Sequence, residues 1–281
     1  MDFVKMHACS NDYVYCDFDK VSQYDFSRLS IAVSKRRYSV GSDGLIVVKK
    51  LSPSSVQMIM YNADGSRGAT CGNGVRCSAL FAQKYLGIKS DVVSVVTDAN
   101  TTEVRLFKEN NKIYAKADMG PIKIVNSAKS IAEKLQKVGL YVDYRQIYQV
   151  DVGNSHLVFL FAKHSLQTLA KAVKKSGAFK DGINIEAVKH VNLVGSTPRL
   201  FTEVCERGSG KTLSCGTGAC AVFTAFNHFN KKAYPANEIM TEGGILTVEK
   251  DKENTFLSSE ITQVFSGTLN PSMLLGAKNE I

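Results

Sequence analysis

A chain of 281 residues, 44% hydrophobic and with 21 glycines, can bury one large core or two of ordinary size, which excludes a disordered chain. Its net charge of +9 comes from lysines and arginines scattered in short clusters such as Lys35–Arg37 and Lys174–Lys175, with no basic stripe carrying interleaved aromatics, so no nucleic-acid partner is expected. Seven cysteines, a start that carries Asp2, Lys5 and His7, and no apolar run near the roughly 20 residues of a membrane span set the expectation of a cytoplasmic protein with free thiols and no membrane partner.

The predicted elements interleave throughout, as in an α/β chain. A helical pattern from Ser27 to about Arg36 precedes strands at Leu45–Val48 and Val56–Tyr61. A helix follows from Val75 to about Leu86, with Gly87 as its stop, and then a strand at Val92–Thr97. Glu109-Asn110-Asn111 reads as the turn of a hairpin between Val104–Phe107 and Ile113–Ala115. Beyond it come a helix at Ala128–Val138, strands at Ile147–Val152 and Leu157–Phe161, and a helix at Leu166–Lys175. The last third holds a strand at Leu200–Val204, a helix from Ala219 to about Phe229, and a strand at Ile245–Val248 before a second hairpin turn at Asp251–Asn254.

One internal repeat organises this series. Gly65-Ser66 precedes Cys71-Gly72-Asn73-Gly74-Val75-Arg76-Cys77 and an apolar helix; Gly208-Ser209 precedes Cys215-Gly216-Thr217-Gly218-Ala219-Cys220 and another. The copies lie about half the chain apart, which predicts two similar lobes facing each other across a pseudo-twofold cleft that brings two thiols together. At a helix start, free backbone N–H groups and the positive end of the dipole favour thiolate, so Cys71 and Cys215 are both expected to be acidic. Adjacent glycines let an anionic ligand approach, and two helix starts can hold its carboxylate.

Inverting a carbon that carries a proton needs a base on one face and an acid on the other, which two thiols in unlike protonation states supply. The carbanion that develops would be stabilised by the N–H groups around the carboxylate. No pattern points to a cofactor, and the cysteine spacings lack the close CxxC pairs of a zinc site, so neither cofactor nor metal is expected. Cys77 and Cys220, inside the predicted helices, read as packing residues, while Cys9, Cys16 and Cys205 lack the duplicated glycine-rich setting. Cys205–Thr212 nearly matches a phosphate-binding loop, but its first glycine is replaced by Cys205 and the helix start is expected near Cys215, not at Lys211-Thr212.

These residues resemble the diaminopimelate epimerase family across nearly the whole chain. Lys5-Met6-His7 with Asn11-Asp12-Tyr13 resembles its opening strand and substrate loop, and Gly41-Ser42-Asp43-Gly44-Leu45 its next turn. Asn62-Ala63-Asp64-Gly65-Ser66 leading into the Cys71 motif, and Glu206-Arg207-Gly208 leading into the Cys215 motif, are the most specific segments. The resemblance implies conversion of LL-diaminopimelate to the meso form, a step toward lysine and peptidoglycan, without pyridoxal phosphate or metal. It also implies a homodimer of two-lobed subunits, each lobe a mostly antiparallel mixed sheet around a central helix, with boundaries placed at 1–119 and 120–267 and a return to the first lobe at about 268–281. Position by position, Cys71 and Cys215 become the acid and base, and His156 and Glu206 the polar groups that accompany them. Asn11, Asn62, Asn154, Asn184 and Arg207 become substrate-holding residues, and Gly72, Asn73, Gly216 and Thr217 the helix-start loops.

The chain departs from the family pattern at Ala8 and Ser10, where glycines are common, at Ser155, where a proline is usual, and at Arg67, where an acid is frequent. The segment from Asn192 to Pro198 is also slightly longer than usual. Three other readings are therefore kept. One is a related two-cysteine racemase or epimerase for another amino acid, such as histidine or lanthionine. Another is an isomerase of the same superfamily that shifts a double bond with a carboxylate, and the third a thiol redox sensor or binding protein in which Cys71 and Cys215 form a disulfide.

Overall fold

The chain divides into two units in a computed structural model that describes residues 1–125, 128–231 and 233–271. The first unit runs from Met1 to Ala117 and resumes at Ser259; the second is Asp118–Ser258. The return thus begins within a strand, earlier than the expected 268, and 272–281 lie outside the described residues.

In chain order the first unit holds β1 (Asp2–Ala8), β2 (Asn11–Asp17), α1 (Phe18–Val21), α2 (Phe26–Ser34), β3 (Gly44–Lys50), β4 (Ser55–Asn62), β5 (Arg67–Gly68), α3 (Gly72–Tyr85), β6 (Val92–Val96), β7 (Thr101–Glu109) and β8 (Lys112–Asp118, ending one residue past the division). The second holds β9 (Lys123–Val125), α4 (Ala128–Lys137), β10 (Ile147–Asp151), β11 (Ser155–Phe159), α5 (Leu166–Lys175), β12 (Asn184–Val194), β13 (Thr197–Glu206), β14 (Gly210–Thr212), α6 (Gly216–Asn230), β15 (Ala236–Thr241) and β16 (Gly244–Asp251). The last strand, β17 (Asn254–Thr268), begins in the second unit beside β16 and ends in the first beside β1.

The repeat seen in the cysteine motifs extends to whole units. In the first, β2 runs parallel to β3, β3 antiparallel to β4, β4 antiparallel to β5 and parallel to β6, and β6 antiparallel to β7. In the second, β11, β12, β13, β14, β15 and β16 repeat those relations in the same order. A parallel pair needs a crossover, and in both units the β4–β6 and β13–β15 crossovers carry the cysteine motif and the helix after it. Each sheet wraps that helix. α3 packs against β1, β2, β3, β4, β6 and β7, and buries every residue from Asn73 to Ala82; α6 packs against β10, β11, β12, β15 and β16. Most of the buried side chains on these helices are apolar, and those such as Phe81 and Phe223 each stabilise the fold by roughly 1.5–3 kcal/mol.

Several strands escape the alternation pattern. In β2 the central residues Asp12–Cys16 are all buried, so both faces read alike, and Asn11-Asp12-Tyr13 lies in this strand, not in a loop. The turn before it is Cys9-Ser10, both in the left-handed region at φ 48° and 64°. β1, β12 and β15 were likewise not read from periodicity; β12 carries Glu186 and Lys189 among its apolar residues. No helix among the described residues is long and apolar enough to cross a membrane.

Candidate active site

In the first unit Cys71 is the N-cap of α3, half-buried, and its S–H donates to Asn11 Oδ1 at 3.2 Å. Asn11 is oriented from behind: its Nδ2 donates to Asp43 Oδ2 at 2.8 Å, which leaves Oδ1 to face the thiol. Asp43 is itself held by the backbone N–H of Asp12 at 3.1 Å and by Arg36 at 2.9 Å. Arg36 also pairs with Asp12, as does Lys5 at 2.8 Å. Burial acts to raise the Asp12 carboxyl, but hydrogen bonds and charge from Arg36 and Lys5 outweigh it and hold the group below the usual carboxylate range. The Tyr13 hydroxyl lies within hydrogen-bonding reach of Cys71 and Asn11, and burial, reinforced by Cys71, pushes it up.

Asn73 Nδ2 reaches Asn11 Oδ1 at 3.4 Å, and its own Oδ1 accepts from Arg76 Nη2 at 2.5 Å. Arg76 is 0% exposed; its Nε donates to Ser259 Oγ at 3.1 Å, and its Nη1 has no partner among the described residues. Among the described residues no carboxylate is bonded to this buried cation. Asn62 lies outside this set of hydrogen bonds, closing the Asn62–Ser66 turn through Ser66 Oγ at 2.9 Å.

In the second unit Cys215 is the N-cap of α6 and is buried. Its Sγ accepts from the Gly218 N–H at 3.4 Å and lies 3.3 Å from Thr217 Oγ1. The expectation of an acidic thiol is overturned here. Burial comes first, then the charges of Glu206 and Glu186, and together they push Cys215 well above the ordinary thiol value of 9.0. The hydrogen bonds from Thr217 and Gly218 oppose the shift without cancelling it. Cys77 is likewise pushed up by burial to about 12, as befits a packing thiol, and Cys220 is 0% exposed.

Behind Cys215 runs a line of polar groups. Asn154, exposed, reaches Thr217 Oγ1 through Nδ2 at 3.5 Å and turns Oδ1 to His156 Nε2 at 3.0 Å. His156 Nδ1 meets Glu186 Oε1 at 2.7 Å. Gly218 permits this arrangement, since a Cβ there would stand 2.5 Å from Glu186 Oε1. Glu206 accepts from Thr212 Oγ1 at 2.6 Å, and Asn184 accepts from the Arg207 backbone N–H at 2.9 Å while donating to the Ser155 carbonyl at 3.0 Å. Asn184 therefore pins the exposed Arg207 to β11, and Gly216 opens the helix beside the sulfur.

Sequence reasoning assigned no role to Asp43, Arg76, Tyr13 or Glu186. The first three sit inside quoted motifs and take meaning only from their partners. Glu186 had one legible signal, a lone acid in the otherwise apolar run Ile183–Val188 that also holds Asn184. The near-phosphate loop has no helix at Lys211-Thr212, which belong to β14. Among the described residues no three His, Cys, Asp or Glu side chains gather as a metal-holding group.

A family model described as diaminopimelate epimerase matches residues 3–125 and 148–264. The chain is 34% identical over 269 residues to the diaminopimelate epimerase of Oceanobacillus iheyensis, covering 90% of this chain and 91% of that one. It is 32% identical over 289 residues to the diaminopimelate epimerase of Agathobacter rectalis, covering 96% and 99%. Among solved structures, a phenazine biosynthesis protein of the PhzF family from Bacillus anthracis aligns with a TM-score of 0.70 at 14% identity, covering 95% of this chain and 98% of that one. At that identity the likeness concerns the fold alone.

Proposed function

The chain belongs to the diaminopimelate epimerase family and is an isomerase that interconverts LL- and meso-diaminopimelate, and from that premise we propose that the α-proton is exchanged through Cys71 and Cys215. One thiolate removes the proton from one face and the other thiol delivers a proton to the opposite face, so the two sulfurs exchange protonation states with each turnover. Cys71 is the sulfur suited to act first as base, being half-buried at the N-cap of α3 whereas Cys215 is buried. Cys215, held protonated by burial and two carboxylates, is the first donor.

The substrate carboxylate takes hydrogen bonds from the helix starts at Gly72, Asn73, Gly216 and Thr217, which stabilise the carbanion as it forms. Asn11, Asn154 and Arg207 bind substrate polar groups; Asn62 holds the distal amino-acid end. Glu206, beside the Cys215 loop, and His156, behind it, tune the second thiol. The same reading places the enzyme in the cytoplasm as a homodimer, supplying a precursor of lysine and peptidoglycan.

The observation that carries this reading is a duplicated cysteine N-cap, in two units of one topology, in a chain that the family model matches over both motifs. Incubation with LL-diaminopimelate should yield the meso isomer, with lanthionine and histidine as comparison substrates. Inversion of either of those without inversion of diaminopimelate would move the chain to a sister specificity. No inversion of any of them, with a Cys71–Cys215 disulfide that forms and breaks on redox cycling, would favour a sensor.

A further inference from the structure

Glu186 and His156 are each 0% exposed, so neither can touch a bound substrate, and any influence they have on the reaction passes through a neighbour. The neighbours form one continuous line, and its donors and acceptors have a direction. An ionised carboxylate only accepts, so His156 Nδ1 donates to Glu186 Oε1 at 2.7 Å. His156 Nε2 faces a second oxygen, Asn154 Oδ1 at 3.0 Å, and a proton on Nε2 would be donated there as well. With its oxygen engaged, Asn154 turns its NH2 group to Thr217 Oγ1, which accepts and keeps its own hydrogen for the sulfur 3.3 Å away. Cys215 Sγ then faces two donors, the Thr217 hydroxyl and the Gly218 N–H. A bare Nε2 would reverse each link: Asn154 would turn its amide over, Thr217 would donate to Asn154, and the sulfur would face a lone pair.

The carboxylate is placed to hold that direction. Its Oε1 lies against the α-carbon of Gly218, in the first turn of α6, where the positive helix end favours an anion, and its Oε2 has no partner among the described residues. A wholly buried carboxylate with one oxygen unpartnered is unfavourable for folding alone, which directs attention to a functional role. Glu206, bonded to Thr212, is the other acid whose charge reaches this sulfur, and it stands outside the line.

We propose that Glu186 is a positioning residue that, through His156, Asn154 and Thr217, keeps hydrogen-bond donors aimed at Cys215, and that these donors offset the cost that nearby carboxylate charge, its own included, places on the thiolate left when Cys215 gives up its proton. This rests on Cys215 serving as a proton donor and acceptor in the epimerisation.

The test combines kinetics with a measurement that needs no substrate. Glu186→Gln keeps the size of the side chain and removes its charge. The variant should lose roughly 10- to 100-fold in kcat with KM within about threefold of the parent, because the lost support is felt in the proton transfer and not in binding. In a Thr217→Val background, where the line is already cut, the same change should cost almost nothing further. Losses that add in full in the double variant, or a Glu186→Gln enzyme as active as the parent, would overturn the proposal. Nitrogen-15 NMR of histidine-labelled protein, with His156 assigned by its loss in His156→Gln, should find a proton on each ring nitrogen in the parent and on one in Glu186→Gln. An unprotonated Nε2 in the parent would overturn it even if the variant failed to fold. Parent protein with the expected histidine signal but no epimerase activity would instead count against the epimerase reading.

Discussion

Cys71 and Cys215 occupy the same place in two units of one topology, yet the polar groups around them differ. In the first turns of α3 the buried Arg76 is bonded to Asn73, and Asp43 stands behind Asn11; at the place in α6 that corresponds to Arg76 stands Cys220, and the carboxylates Glu186 and Glu206 act on Cys215. The asparagines at the head of the equivalent strands, Asn11 as the first residue of β2 and Asn154 just before β11, diverge as well. Asn11 is turned by Asp43 to offer an oxygen to its sulfur, whereas Asn154 is turned by His156 to offer an N–H to Thr217. Duplication explains why two thiols sit at two helix starts. Divergence of the groups behind them gives each thiol its own set of donors and acceptors, while a two-base inversion asks only that the two stand in opposite protonation states when substrate binds.

The comparison breaks most readily at the cysteines themselves. Cys71→Ala and Cys215→Ala should each lower kcat by at least about 1000-fold, since residues acting as a unit lose nearly everything together; a variant that keeps a tenth of the parent rate would end the shared role. Next comes Arg76→Met. Replacing a buried charge that pairs with no carboxylate among the described residues by an apolar chain of similar length should lower kcat/KM roughly 10- to 100-fold while the melting temperature holds or rises. Equal losses of activity and stability would reduce Arg76 to a packing role.

A third test uses pH. Cys16 and Cys77 are pushed up by burial to about 12, and Cys215 is raised in the same sense, against 9.0 for an ordinary thiol. Below about pH 9 these thiols are protonated in folded and unfolded chains alike. Between 9 and 12 only the unfolded chain releases the protons, so stability should fall as pH rises, and urea midpoints under reducing conditions at pH 7.5, 9 and 10.5 should decrease in that order. A flat profile would mean that these thiols ionise freely in the fold, and with them the contrast drawn for Cys215 would go. The smallest effect is expected at the β1–β2 turn, where Ser10 holds φ 64°. Ser10→Gly should stabilise the first unit by about 0.5–1 kcal/mol, read as a rise in the urea midpoint.

The cysteine helices were legible because a glycine-flanked cysteine ahead of an apolar run is rare and occurred twice. Strands β3, β4 and β13 were legible from their short apolar or β-branched runs. β2 was hidden because Asp12–Cys16 are buried on both faces, which removes the period of two on which a strand reading depends. The proton affinity of Cys215 was misread for a different reason. The helix end is local and visible in sequence, whereas burial and the charge of Glu186 come from a strand some thirty residues away. Glu186 and His156 lie on paired parallel strands, with Asn184 opposite His156, and sequence alone does not specify that register. Asp43 and Arg76 were on view inside the motifs, but their work of turning Asn11 and Asn73 is a matter of which atom faces which.

The most direct test of unlike thiols acting at one carbon is the first turnover of LL-diaminopimelate in deuterium oxide. Two bases predict that the earliest meso product carries deuterium at the inverted carbon while the remaining LL substrate still carries protium. Deuterium entering the LL pool as fast as the meso product from the outset would mean a single base serving both faces, and would contradict the account.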